Sequence, residues 1–274
     1  MQLSKVITVV SGAAAITIAI GDYVKASDRA GIMFPSSPKP SAALVAMSTG
    51  SLVEQGRQEA EQGQLEEAIA TYNRAIQADP QNAEAYRYRG LAYHDLGNYS
   101  QAIDDFSTAL QLQPNDPETL YHRGEAYSHT PDINAALSDL SQAIELAPNF
   151  VQPYIDRSIA LAVTGQFPLA LSDLDSAVAL APDNADAYYN RGKVYTELGN
   201  AEAALTDFDT AIELAPDLAE AYGNRGLLHY QLGDSDAAIE DLQQAASLFQ
   251  ARGDQQSYQQ TVYFIQQVQQ GGPT

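Results

Sequence analysis

An all-α solenoid of six helix-turn-helix repeats is the fold this sequence predicts, and three observations carry it. Prolines stand at Pro80, Pro114, Pro148, Pro182 and Pro216, each 34 residues after the last, with no insertion or deletion between them. In the frame they set, two columns hold alanine in every copy: Ala68, Ala102, Ala136, Ala170, Ala204 and Ala238, then Ala75, Ala109, Ala143, Ala177, Ala211 and Ala245. A turn glycine recurs at Gly63, Gly97, Gly165, Gly199 and Gly233. A fixed period of this length marks units that bury their apolar faces only against their neighbours. With the proline as position 32, the repeats span 49–82, 83–116, 117–150, 151–184, 185–218 and 219–252, followed by a capping helix and tail over 253–274.

Ahead of the array, residues 1–26 carry an uncharged apolar run from Val6 to Ile20, preceded by Lys5 and followed by "VKA" at 24–26. Fifteen helical residues span about 22 Å, short of the roughly 30 Å hydrocarbon core, so the segment is expected to be an export signal peptide, or a signal anchor if uncleaved. The expected location is therefore exported, either periplasmic or membrane-anchored and facing the extracytoplasmic space, with a cytoplasmic protein as the alternative. Residues 27–48 turn Pro-, Ser- and Ala-rich, with Pro35, Pro38 and Pro40 close together, and are expected to form an extended linker.

Within the repeats, position 8 is Gly56, Gly90, Gly124, Gly192 and Gly226, with Ser158 as the exception. Position 4 is Tyr86, Tyr154, Tyr188 and Tyr222, with Leu52 and Leu120 elsewhere. Small residues at 8, 20 and 27 let two helix backbones approach closely, and large ones at 4, 11 and 24 fill the space between. Asn82, Asp116 and Asn184 precede leading helices as expected N-caps. Glu84, Glu118, Asp186 and Glu220 stand in the first turns, where negative charge complements the helix dipole. After the sixth repeat Gln250 replaces the proline, and Tyr258, Val262, Ile265 and Val268 or Gln269 fall near one face of the expected capping helix.

These columns resemble the tetratricopeptide repeat family over residues 49–252, with departures at Ser158, Leu161, His229 and at Pro131, which replaces the turn glycine. The resemblance implies a right-handed superhelix whose concave groove is lined by positions 2, 5, 6, 9, 12 and 13 of each leading helix. Where the family has an apolar position 7, this chain has Arg89, Arg123, Arg157, Arg191 and Arg225. Sixteen residues on stand Asp105, Asp139, Asp173, Asp207 and Asp241, and the first repeat lacks both partners, with Gln55 and Thr71. That joint presence and absence predicts an Arg–Asp pair joining the two helices of one repeat. Pairing with the aspartate column of the preceding repeat fits worse, since Arg89 would face Thr71.

The implied groove positions are Arg87, Tyr88, Leu91, His94, Tyr121, His122, Glu125 and His129 in repeats 2 and 3; Ile155, Asp156 and Ile159 in repeat 4; and Tyr189, Asn190, Lys193, Asn224, Leu227 and Tyr230 in repeats 5 and 6. Tyrosines there supply contact area with few rotors to freeze. The resemblance implies that an extended peptide or a partner's helix occupies the groove. The carboxylate-gripping pattern of some family members is not matched: its best window reads Arg87, Leu91, His122, Gln152 and Asp156, with one clear cation and an aspartate at a required basic site.

Composition narrows the function classes. The 35 acidic residues against 14 basic ones, a formal charge of −21, repel phosphate backbones, so no nucleic-acid partner is expected and a neutral or basic protein segment is favoured. The absence of cysteine removes thiolate catalysis and zinc-thiolate sites. His122 and His129 lie about two helical turns apart, so no shared metal is expected, and no cofactor either. The sequence has no Gly-rich phosphate loop, no His-Glu-x-x-His and no nucleophile elbow, so catalysis is not expected. A non-catalytic interaction scaffold for complex assembly or maintenance is the expected function. The alternatives are a self-associating structural array, which would make the chain a homo-oligomer, and a non-catalytic module of an enzyme complex. A membrane contact is expected only through an uncleaved N-terminal segment.

Overall fold

The computed structural model describes residues 49–271. The signal segment expected over 1–26, the linker over 27–48 and the last three residues lie outside the described residues. Those described are all-α, and they divide into two compact units, 49–150 and 151–271.

The first unit comprises α1 (Thr49–Glu61), α2 (Leu65–Ala78), α3 (Ala83–Asp95), α4 (Tyr99–Leu112), α5 (Pro117–Ser128) and α6 (Ile133–Leu146). The second comprises α7 (Val151–Val163), α8 (Phe167–Leu180), α9 (Ala185–Glu197), α10 (Ala201–Leu214), α11 (Ala219–Gln231), α12 (Ser235–Ala251) and α13 (Gln255–Gln269). In each unit the two helices of a hairpin pack on each other. The second helix of each hairpin also packs on the next leading helix, and neighbouring leading helices touch.

Local chemistry sets the breaks. Gly63, Gly97, Gly165, Gly199 and Gly233 all hold φ between 73 and 86°, a left-handed turn that costs an L-residue with a Cβ roughly 1 kcal/mol or more. In the third repeat, where Pro131 stands, α5 ends at Ser128 and Thr130 makes the turn instead. The Thr130 hydroxyl donates to the Tyr127 carbonyl (2.8 Å) and accepts from the Asp132 N–H (3.2 Å).

Asn82 and Asn184 cap α3 and α9 through Ala85 N (2.9 Å) and Ala187 N (3.0 Å). Asp116, expected to cap α5, makes no such bond; its carboxylate accepts the Thr119 hydroxyl. Caps the sequence did not suggest close α6, α10, α12 and α13, where Asp132, Asn200, Asp234 and Asp254 accept from the N–H three residues on.

The core lies between the two helices of each hairpin. All six position-20 alanines are fully buried. Opposite them, each position-8 glycine meets a position-24 side chain: a Cβ at Gly192 would stand 2.8 Å from the Phe208 ring, and one at Gly90 2.7 Å from the ring of Phe106. Ser158 occupies this column with its hydroxyl turned back to the Ile155 carbonyl (2.6 Å).

Without a proline at 250, α12 runs 17 residues before α13 folds back on it. The buried stripe of α13 is Ser257, Thr261, Phe264 and Val268; Val268 was expected there, whereas Tyr258, Val262 and Ile265, expected on the same face, are half-buried at its flanks. Small hydroxyl residues make the close approach here, with Thr261 donating to the Ser257 carbonyl (2.8 Å), and apolar spacing alone does not find them. Among the described residues no helix is long and apolar enough to cross a membrane.

Candidate partner-binding face of the leading helices

The arginine column fastens the scaffold on which this face is built. In the second repeat Arg89 Nε and Nη2 donate to the two carboxylate oxygens of Asp105, at 2.7 and 2.6 Å. The same fork joins Arg123 to Asp139, Arg157 to Asp173, Arg191 to Asp207 and Arg225 to Asp241. The aspartates are buried in every case, and the arginines are about one-fifth exposed.

The third guanidinium nitrogen does what the sequence did not suggest. Nη1 reaches back into the preceding repeat, to Asn73 from Arg89, to Ser107 from Arg123 (3.1 Å), to Asp175 from Arg191 (2.9 Å) and to Asp209 from Arg225 (2.6 Å). Pairing with the preceding repeat is therefore real, but through position 25. That column mixes Asn, Ser and Asp, so no single residue type announces it. Burial pushes the Asp105 carboxyl up against the pull of Arg89, while its hydrogen bonds to Asp105 hold the Arg89 guanidinium above its ordinary value.

In the first unit, α3 and α5 present most of the expected residues. Arg87 pairs with Glu118 at the start of α5, and its guanidinium lies 4.9 Å over the ring of Tyr88. Tyr88 stacks on Tyr72 (6.1 Å between ring centres) and takes Arg57 on the ring as well, at 5.4 Å. Leu91, His94, His122 and Glu125 are half-buried and His129 is exposed. Tyr121 is not wall: at 8% exposure it packs with Leu110, Leu120 and Leu140, its ring 5.1 Å from Phe150. His122 Nδ1 stands 3.3 Å from Glu125 Oε2.

In the second unit the face runs over α7, α9 and α11. Ile155 and Tyr189 belong to the core, at 2% and 9% exposure, Ile155 against Ala177 and Ala187 and Tyr189 against Phe208. In this unit a position-5 residue packs on the next leading helix, Ile155 on Ala187 of α9 and Tyr189 on Ala221 and Leu228 of α11, which is why these large side chains are covered. Ile159 and half-buried Asp156 remain on the surface of α7. Asn224 Nδ2 donates to the Tyr189 hydroxyl (3.0 Å) and to the Glu220 carbonyl (2.9 Å), and Asn190 Nδ2 donates to the Asp186 carbonyl (2.8 Å).

Lys193 Nζ lies 5.1 Å over the Tyr189 ring; burial lowers its pKa, and Glu197 one turn on opposes the shift. Leu227 and Tyr230 are half-covered by α13, the Tyr230 ring edge-on to Phe264 at 5.5 Å. Among the described residues no group of three or more His, Asp or Glu side chains is arranged to hold a metal ion.

Comparison with known proteins places these features in a wider set. A family model described as TPR repeat matches residues 56–97 and 90–129, and models described as tetratricopeptide repeat match 117–150, 157–222 and 219–250. No curated protein matches the chain. Many solved structures do. YrrB, described as a TPR protein with an unusual peptide-binding site, is 30% identical with a TM-score of 0.54, over 62% of this chain and 88% of that one. PilW, described as a widely conserved type IV pilus biogenesis factor, has a TM-score of 0.69 at 20% identity, over 78% of this chain and 98% of its own. A tetratricopeptide repeat protein from Parabacteroides merdae has a TM-score of 0.63 at 22% identity, over 78% and 84%.

Proposed function

Because the chain belongs to the tetratricopeptide repeat family, we propose that it is a non-catalytic scaffold that holds an extended or helical segment of a partner protein on its leading helices. The observation that carries this is a division of labour. The small-residue columns that pack helix on helix repeat almost without change and are buried, whereas the exposed and half-buried side chains of the leading helices vary along the array, position 9 reading Leu91, Glu125, Ile159, Lys193 and Leu227. In the first unit these are Arg87, Tyr88, Leu91, His94, His122, Glu125 and His129. In the second they are Asp156, Ile159, Asn190, Lys193, Asn224, Leu227 and Tyr230.

The segment is neutral or basic. In the second unit Arg157, Arg191, Arg225 and Arg252 are all committed to carboxylates, which leaves Lys193 as the one cation among its described residues with no carboxylate within ion-pair distance. The peptide-binding description of YrrB supports the partner class. The apolar run from Val6 to Ile20 supports work on the extracytoplasmic side, in assembly or maintenance of a complex.

A photo-crosslinking residue at Leu91 or Leu227, introduced in the native host, is expected to capture a protein partner, while the same residue at Thr108 or Thr206 on the second helices is not. Adducts formed only from the second helices would overturn the assignment of the binding face. Sequencing of the mature N-terminus in separated cell fractions tests the location: a chain starting near Ser27 outside the cytoplasm supports it, and an intact Met1 in the soluble cytoplasm removes it.

A further inference from the structure

We propose that the outer face of α13 joins two copies of this chain, the helices running antiparallel about a two-fold axis at Tyr263. Opposite the stripe that packs into the protein, α13 and the turn after it present Gln256, Gln259, Tyr263, Gln266 and Gln270, all exposed. Their alternating spacing of three and four residues holds them in one seam, as in a coiled coil. Tyr263, at 62%, is the most exposed large hydrophobic side chain among the described residues.

Two observations identify the occupant as a second copy. One is charge. The chain carries a net −21, so two copies repel wherever their carboxylates meet. Each of α1 to α12 carries at least one carboxylate, whereas no Asp, Glu, Lys or Arg occurs from Gln255 to Gly271. The charges that flank the start of α13 are paired among themselves, Arg252 with Glu220 and, at 3.6 Å, with Asp254. Among the described helices, α13 is therefore the one that two copies can bring together without setting its own like charges in opposition.

The other is symmetry. In a two-fold interface the same patch on both copies meets itself, so it must be self-complementary. The seam reads nearly alike in both directions from Tyr263: Gln256 and Gln270 stand seven residues to either side, and Gln259 and Gln266 four and three. Antiparallel pairing centred on Tyr263 sets the two tyrosine rings against each other, Gln256 opposite Gln270 and Gln259 opposite Gln266. A glutamine amide both donates and accepts, so each such pair can close reciprocal hydrogen bonds, which a row of lysines or glutamates could not. The rings add contact area with few rotors to freeze. A helix of 15 residues is about 22 Å long, so the pairing buries less than a standard interface and is weak and reversible. It uses no residue of the leading helices, so it stands or falls separately from the partner-binding role proposed above.

Sedimentation of the full chain over about a hundredfold range of concentration gives the test. The average mass is expected to rise from that of one copy toward that of two, and further in higher salt, where the acidic surfaces repel less. A single-copy mass at every concentration and salt would overturn the proposal. Tyr263→Glu sets two like charges on the axis and is expected to abolish the rise, while Thr206→Glu, an exposed charge on α10, leaves it. A rise that survives Tyr263→Glu would put the contact elsewhere and overturn the proposal as well. Because the chain has no cysteine, introduced ones report the register. Under mild oxidation Tyr263→Cys is expected to link to itself, and Gln256→Cys to link to Gln270→Cys faster than to its own kind. Equal rates for the two Gln256→Cys reactions would rule out the antiparallel pair.

Discussion

The Arg–Asp fork shows how a single residue type can be costly and still be kept. Asp207 is 4% exposed and receives two hydrogen bonds from Arg191, both at 2.8 Å. Removing two charges from water consumes most of what their attraction returns. Such a pair contributes little net stability but strongly penalises any arrangement that separates its members. Asp207→Ala and Arg191→Ala should each lose stability, up to roughly 3–5 kcal/mol where a buried charge is stranded, and the double variant should lose clearly less than their sum. Chemical denaturation of the four proteins closes the cycle, and additive losses would remove the coupling. The joint absence of the pair in the first repeat made the partner within the repeat legible in sequence; the bond to position 25 needed coordinates.

At the scale of the helix hairpin, space rather than charge decides. Ala204 is fully buried where α9 and α10 cross, next to Gly192, whose missing Cβ gives the Phe208 ring its place. Ala204→Leu should overpack this junction at a cost of about 1–3 kcal/mol, whereas Thr206→Leu, on the exposed face of the same helix, should cost far less. Equal melting temperatures for the two variants would contradict the packing described. The left-handed turn at Gly199 (φ 73°) was equally legible, because glycine recurs wherever that conformation does. The caps at Asp132, Asn200, Asp234 and Asp254 were not, since an acidic or amide residue beside a turn is common and only its bond to a helix N–H makes it a cap.

For the molecule as a whole, the helix that follows the sixth hairpin departs from the repeat pattern. Here α13 covers Leu242 of α12 with Phe264 and Val268, and leaves Tyr263 62% exposed on its outer side. Phe264→Ala should cost about 3–5 kcal/mol and loosen the end of the array first. Hydrogen exchange would show it as lost protection in α12 and α13 with α7 and α8 unchanged; uniform loss across all helices would show that the end does not open on its own. The acidic surplus acts at this scale too. With the arginines of the second unit internally paired, its remaining carboxylates set the sign of the field that a partner meets.

Period, turn glycines, alanine columns and the Arg–Asp couple were determined by the sequence alone, because each is a local or strictly repeated requirement that every copy must satisfy. Tertiary structure alone decided which large side chains of the leading helices are wall and which are core. Tyr121, Ile155 and Tyr189 share their repeat register with half-buried Arg87, and their letters alone would suit either place. Only contacts with other helices remove their side chains from water: Tyr121 against Leu110 of α4 and Leu140 of α6, Ile155 and Tyr189 against the next leading helix.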